Sequence, residues 1–204
     1  MDKLIFATGN EGKMKEVRMI LADLGFEIQS MKEAGINIDI VEDGQTFEEN
    51  ALIKARAISK ETGCLVLADD SGLEVDYMDK APGIYSARFL GEDTSYRIKN
   101  QYIIDKLAGV PDPERTARFV CAIAAVFPDG FPDGSEYTER GTIEGIIGYE
   151  ERGENGFGYD PIFYLPELGK TTAELDPEEK NKISHRGNAL RLMKNVIRAH
   201  RESK

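Results

Sequence analysis

The sequence predicts an α/β fold built on a mixed β-sheet. Two observations carry this: strand-like and helix-like segments alternate from residue 3 to 108, and a strand-rich stretch follows from 117 to 165, more than a purely parallel sheet calls for. A third is the length of 204 residues, enough to bury a sizeable core in one compact domain over 1–204, with room for two lobes.

Residues 3–7 (KLIFA) read as a buried strand. Thr8-Gly9-Asn10 then makes a tight turn, and Val17, Ile20, Leu21 and Leu24 recur at helical spacing up to a stop at Gly25. Alternation over 26–31 predicts a second strand. Thr46 and Glu49 form a capping-box signature ahead of a helix that carries Ala51, Leu52, Ala55 and Ile58 and ends near Gly63. The apolar run 64–68 (CLVLA) predicts a central strand that stops at Asp69-Asp70-Ser71-Gly72, placing carboxylates at its C-terminal end. Residues 94–108 predict a helix with Ile103, Ile104 and Leu107 inward and Gly109 as its stop, and 117–127 is the longest apolar strand candidate. A turn-rich Pro-Asp-Gly excursion is expected at 128–134, one or two strands around Gly141 and Gly145 within 136–149, and a strand at 162–165. Asp176-Pro177 starts a short helix. The last helix sets Ala189, Leu192, Met193, Val196, Ile197 and His200 on one apolar face, which makes His200 structural.

Composition narrows the function. A net charge of −11 repels nucleic-acid backbones and anionic membranes, so neither is an expected partner. A small anionic substrate is compatible with that charge if local cations or a metal overcome the field. Cys64 and Cys121 lie in apolar runs without ligand spacing, which predicts two buried thiols in a reducing compartment. No signal-like segment opens the chain and no apolar run approaches the ~18 residues of a membrane span, so a soluble, cytoplasmic protein is expected.

Four segments could carry chemistry. Thr8-Gly9-Asn10-Glu11-Gly12-Lys13 joins a strand to a helix, where free N–H groups, the helix dipole and Lys13 favour phosphate. Its glycines do not match a Walker A loop, and alone it reads equally as a capped helix start with a surface lysine. Asp69 and Asp70 are adjacent, so on extended backbone they point to opposite faces: one can bind metal or polarise water while the other supports it, or both belong to a solvated turn. Glu42, in the loop before the capped helix, is the best second carboxylate for magnesium. Gly156-Phe157-Gly158-Tyr159-Asp160-Pro161 sets two aromatics beside two glycines, suited to stacking a purine or to filling the core. Lys180, Lys182, His185 and Arg186 form the densest cationic cluster, either a solvated helix start or a set of donors for a keto oxygen. In the stiff loop Ala81–Arg88 a structural role is favoured over a phosphate contact or a subunit boundary for Arg88.

Together these segments resemble the inosine triphosphate pyrophosphatase family, also called XTP/dITP diphosphatases. The resemblance lies in Ala7-Thr8-Gly9-Asn10 with Lys13; Glu42-x-Gly44-x-Thr46-Phe47-x-Glu49-Asn50-Ala51 with Lys54-Ala55; Ala68-Asp69-Asp70-Ser71-Gly72-Leu73; Ala81–Arg88; Gly156–Pro161; and Ser184-His185-Arg186-Gly187. Six blocks in order from residue 7 to 187, with no departure inside them, make the resemblance specific.

The resemblance implies an elongated two-lobed α/β fold around a long mixed sheet with helices packed on it, a homodimer, and an active site in the cleft between the lobes. It implies that Thr8, Gly9, Asn10, Glu11, Gly12 and Lys13 hold the triphosphate, that Glu42 and Asp70 bind Mg2+, and that Asp70 is the proton acceptor for the attacking water. Ser71 would contact substrate, Phe157, Gly158, Tyr159 and Asp160 would line the base and sugar pocket, Lys180 would reach the nucleotide, and His185 with Arg186 would read the 6-keto group. The implied reaction is magnesium-dependent hydrolysis of ITP, dITP or XTP at the α-phosphorus, giving the monophosphate and pyrophosphate. Adenine's amino group would face donor against donor at such a site. Two other readings remain at this stage. One is a pyrophosphatase for modified pyrimidine or methylated nucleotides, on the similar scaffold of the septum-formation inhibitor family, against which the Ser-His-Arg-Gly block argues. The other is a nucleotide sensor without turnover, against which the Asp69-Asp70 pair argues.

Overall fold

Strand β1 (Lys3–Phe6) opens the chain and helix α1 (Glu11–Leu21) follows it, continued by a 3-10 turn at Ala22–Leu24 that Gly25 closes in the left-handed region. The structure, a computed structural model, describes residues 2–128 and 135–203. Most of the Pro-Asp-Gly excursion expected at 128–134 thus lies outside the described residues. Then come β2 (Glu27–Ser30), α2 (Phe47–Thr62), β3 (Leu65–Val75), α3 (Tyr96–Lys106), β4 (Thr116–Val126), β5 (Glu136–Ile147), β6 (Phe163–Leu165), β7 (Lys170–Thr171), α4 (Pro177–Ile183) and α5 (His185–Glu202). Among the described residues seven strands form one mixed sheet in the order β2-β1-β3-β4-β5-β6-β7. β1 runs parallel to β2 and β3, and β6 is antiparallel to β5 and β7. The α/β mixed sheet is as the alternation predicted.

The chain divides into two compact units, Met1–Asp70 with Cys121–Gly141 and Arg186–Lys204, and Ser71–Val120 with Thr142–His185. In the first unit two apolar clusters form. Leu4, Phe6, Leu65 and Leu67 join Met14, Val17 and Leu21 of α1 and Ala189, Leu190, Met193 and Ile197 of α5. Ile5, Val66, Ala68, Ala124 and Val126 join Ala51, Ala55 and Ile58 of α2. The alternation of β1 and β3 sends successive side chains to these two clusters, and each large aliphatic so buried contributes about 1.5–3 kcal/mol. The irregular segment Ile36, Ile38, Ile40 packs every second residue on the α2 cluster, an alternation the sequence reading passed over. The second unit has its own core around Leu73, Ile103, Leu107, Phe119, Ile147, Ile162 and Phe163.

Three expectations need correction. β3 does not stop at Asp69: it runs on through Asp70-Ser71-Gly72 to Val75, because Leu73 and Val75 continue the period-2 burial into the second core. The segment 136–149, where one or two strands were expected, forms the single strand β5, and Gly145 serves close packing, since a Cβ there would fall 2.7 Å from the Tyr164 carbonyl oxygen. Leu192 is 44 % exposed, and Leu190 takes the inward place. At ~100° per residue, Leu192 lies roughly 110° from the centre of the arc formed by Ala189, Leu190, Met193 and Ile197. Cys64 is only half-buried, in the turn before β3, while Cys121 is buried; neither is in a disulfide. His200, as expected, is structural, its ring stacked on Phe127 at 3.8 Å. Among the described residues no helix is long and apolar enough to cross a membrane.

The capping box before α2 is shifted by one residue. Thr46 Oγ1 accepts from the Glu49 N–H at 3.1 Å, but Glu49 reaches back to the Gln45 N–H at 2.6 Å. In the second unit Arg115 is fully buried and donates to the carbonyls of Leu107, Ile147 and Gly148 at 2.6–2.8 Å, tying the end of α3 to the end of β5. Arg115→Met is expected to cost about 2–3 kcal/mol, because buried carbonyls lose charged donors. A fall in the urea midpoint at unchanged slope would register it, and an unchanged midpoint would refute the tie.

Candidate active site

In the first unit the turn after β1 is organised by its own side chains. Thr8 Oγ1 accepts from the Asn10 N–H at 3.1 Å, and Asn10 Oδ1 caps α1 by accepting from the Lys13 N–H at 3.1 Å. Thr8 is buried, Gly9, Asn10 and Glu11 are exposed, and Gly12 and Lys13 are half-buried. A Cβ at Gly9 would meet no protein atom within 4 Å, so the protein leaves its flank open. Lys13 Nζ lies 2.9 and 3.1 Å from the two carboxylate oxygens of Asp69.

The continuous β3 sends Asp69 and Asp70 to opposite faces, into different electrostatic settings. Asp69 is 1 % exposed. Burial pushes its carboxyl up, but Lys13, Arg186 and Lys54 together outweigh burial and hold it far below the usual carboxylate range. Asp70 is shifted the other way. Burial raises its carboxyl against the pull of Lys54 and the hydrogen bond from Asn50, and the charges of Glu42 and Asp69 push it further up.

Asn50, buried in the first turn of α2, links two parts of this site. Its Nδ2 donates to Asp70 at 3.0 Å and its Oδ1 accepts from the Gly44 N–H at 2.9 Å, so the loop carrying Glu42 is tied to β3. Lys54, one helical turn on, reaches Glu42 at 3.0 Å. A cleft of about 260 Å³ is lined by Thr8, Gly9, Lys13, Glu42, Lys54 and Asp69, with Met31, Ile38 and Ile40 as its apolar wall. Among the described residues no three His, Cys, Asp or Glu side chains converge to hold a metal. Glu42 and Asp70, the first of whose charges raises the proton affinity of the second, still fit magnesium, which takes few protein oxygens and completes its shell with water and phosphate.

In the second unit Asp160 is buried and fully engaged. Its Oδ2 accepts from Lys180 Nζ at 2.7 Å and from the Phe157 N–H at 2.8 Å, and its Oδ1 accepts from Thr172 Oγ1 at 2.8 Å. Gly156 lies so close that a Cβ would sit 2.2 Å from Asp160 Oδ2, and its φ of +76° suits glycine alone. Lys180 Nζ stands 5.1 Å from the Phe157 ring centroid, and that ring is 37 % exposed. Tyr159 is buried, its hydroxyl donating to the Ser86 carbonyl at 2.7 Å and its ring edge-on to Tyr96. The His185 ring is buried and stacked on Phe119 at 4.9 Å.

The cationic run read from the sequence is therefore four different environments. Lys180 pairs with Asp160, Lys182 is exposed, His185 stacks on Phe119, and Arg186, 2 % exposed, pairs with Asp69 and Glu16. His185 and Arg186 open α5 rather than preceding it. Ser71 is half-buried on β3, and Arg88 is exposed over the Tyr85 ring. Sequence reasoning missed Asn50, Lys54, Glu16 and Thr172 as members of these sites. The first two had a legible signal, since residues four apart on the capped helix share a face toward the Glu42 loop.

The Ham1 family profile matches residues 4–196. The dITP/XTP pyrophosphatase of an Exiguobacterium species is 52 % identical over 195 residues, covering 96 % of each chain. That of Bacillus licheniformis is 47 % identical, covering 97 % of this chain and 98 % of its own. Among solved structures, a HAM1 protein from Coxiella burnetii superposes with a TM-score of 0.87 at 42 % identity, over 98 % of this chain and all of that one. The Staphylococcus aureus Ham1 protein gives 0.85 at 40 % identity, over 98 % of this chain and 100 % of its own. Profile, relatives and fold all span nearly the whole chain, including the turn at Thr8–Lys13, the Asp69-Asp70 strand and the Asp160–Lys180 pair: the chain belongs to the Ham1 family.

Proposed function

We propose that the chain hydrolyses non-standard purine nucleoside triphosphates, dITP, ITP and XTP, to the monophosphate and pyrophosphate with Mg2+, as a homodimer in the cytoplasm. The observation that carries the reading is the division of labour on β3. Asp69 is locked by cations and holds its proton poorly, whereas Asp70 holds one more readily than an ordinary aspartate. Relatives named dITP/XTP pyrophosphatase at 47–52 % identity support the substrate class.

In this reading the Thr8–Lys13 turn takes the triphosphate, with Lys13 and Lys54 supplying charge along the cleft they line. Asp70, held by Asn50, accepts the proton of the water that attacks the α-phosphorus, and pyrophosphate leaves. Glu42 and Asp70 hold the magnesium ion, which supplies charge neutralisation on the phosphates. The exposed Phe157 face and Lys180 meet the nucleoside. His185 donates a ring N–H toward a 6-keto oxygen, a contact that an amino group cannot accept. Ser71, next to Asp70, contacts substrate on the same strand.

The test is pyrophosphate release from dITP, ITP, XTP, GTP, ATP and a modified pyrimidine triphosphate, with Mg2+ and with excess EDTA. Monophosphate and pyrophosphate from the first three, abolished by EDTA, is the expected result. Orthophosphate release, pyrimidine preference or full activity in EDTA would overturn it.

A further inference from the structure

Four charges form a row in the first unit: Glu16 and Lys13 on α1, Arg186 on α5 and Asp69 on β3. Arg186 Nη1 lies 2.5 Å from Glu16 Oε2, while its Nε and Nη2 lie 3.3 and 3.4 Å from Asp69 Oδ2. Lys13 stands closer to that carboxylate, at 2.9 and 3.1 Å. Two of the cations that act on Asp69 thus stand at unequal distance from it. The near one is partly exposed on a flexible stem in the cleft wall, and the far one is buried and pinned from behind by Glu16.

A buried carboxylate cannot be stripped of its counter-charge cheaply. A triphosphate in the cleft draws on the Lys13 ammonium, and if Asp69 depended on Lys13 alone, each binding event would orphan it. Arg186 cannot follow Lys13 into the cleft, but its planar fork can close the last few tenths of an ångström onto Asp69. We propose that Arg186 is a positioning residue that holds reserve counter-charge for Asp69, and that Glu16 sets how much of that charge Asp69 receives, so that Lys13 is free to turn to the triphosphate. The proposal rests on the reading of this cleft as the triphosphate site and adds a residue, Glu16, that lies outside all six sequence blocks.

The hand-off fixes the sign of each substitution. With Glu16→Gln, Arg186 settles on Asp69 beforehand and Lys13 starts free, so triphosphate binding tightens. With Arg186→Met, Lys13 remains clamped and binding weakens. The probe is inorganic tripolyphosphate, its affinity measured by titration calorimetry, with thermal melts to verify folding. Expected are an affinity gain of about 3-fold for Glu16→Gln, a loss of about 10-fold or more for Arg186→Met, and near wild-type affinity for the charge-conserving Glu16→Asp.

A change of net charge alone would move affinity in the same directions, so both substitutions are repeated in a Lys13→Met background. If they act through Lys13, each effect falls below about 2-fold there, whereas a field effect persists unchanged and overturns the proposal. Weakening by Glu16→Gln overturns it as well, and because that variant leaves Arg186 in place, this outcome is decisive even if Arg186→Met fails to fold. Turnover of dITP by the unmodified protein is read separately. Its absence with the cycle intact refutes the pyrophosphatase reading alone, and its presence with additive effects refutes the hand-off alone.

Discussion

Asp70→Asn is expected to lower kcat for dITP by about 10³-fold, the range in which a positioned proton acceptor contributes. The substitution keeps the side chain's shape and a partner for Asn50, so affinity for tripolyphosphate should stay within about 3-fold of wild type in the absence of metal. Asp69→Asn should behave differently. Its carboxylate faces Lys13 and Arg186, both of which would lose the anion between them, so the expected signs are a lower melting temperature and, with Lys13 released, an affinity for tripolyphosphate that does not fall. Steady-state kinetics on both variants, with melts, separates the two aspartates. If Asp69→Asn abolished turnover with binding intact while Asp70→Asn remained active, the assignment of the proton acceptor would be reversed.

The fold was legible wherever burial follows a simple period. The opening strand-turn-helix, the capped α2 and the proline-started α4 each carry a local signal, and each begins within a residue or two of its expected start. Reading failed where a polar pair interrupts an apolar run. Asp69-Asp70-Ser71-Gly72 looks like a turn by composition, and only Leu73 and Val75, packing into a core assembled from residues up to 175, show that the strand continues. That information is tertiary. The two-residue β7 has too few residues to carry a period, and it exists because β6 offers it an edge.

The candidate site was legible as residue types and not as pairings. Lys180 and Asp160 are 20 residues apart, and Arg186 and Asp69 are 117 apart, so no spacing rule joins them. The sequence could propose a cationic cluster. It could not show that Arg186 is matched to two carboxylates, the buried Asp69 and the half-buried Glu16 of α1. The opposite shifts of the adjacent Asp69 and Asp70 likewise depend on which cations the fold delivers to each face of β3.

The largest expected loss of stability lies in the second unit. Asp160→Asn keeps hydrogen-bonding capacity toward the Phe157 N–H and Thr172 but removes the carboxylate facing Lys180, whose side chain is 7 % exposed. Breaking a buried pair from one side costs about 3–5 kcal/mol, because the remaining charge loses its counter-ion. Removing both charges should cost much less, so Asp160→Asn combined with Lys180→Met should recover most of the denaturation midpoint lost by Asp160→Asn alone. Affinity for the nucleoside end should not recover with it. Lys180 is the cation 5.1 Å from the exposed Phe157 ring, and the double variant lacks it, so KM for dITP should remain raised after the fold is restored. Recovery of both stability and KM would mean that the pair serves packing alone. Recovery of neither would mean that the lost contact is the one Asp160 makes with the Phe157 backbone, and that this loop rather than the lysine carries the recognition.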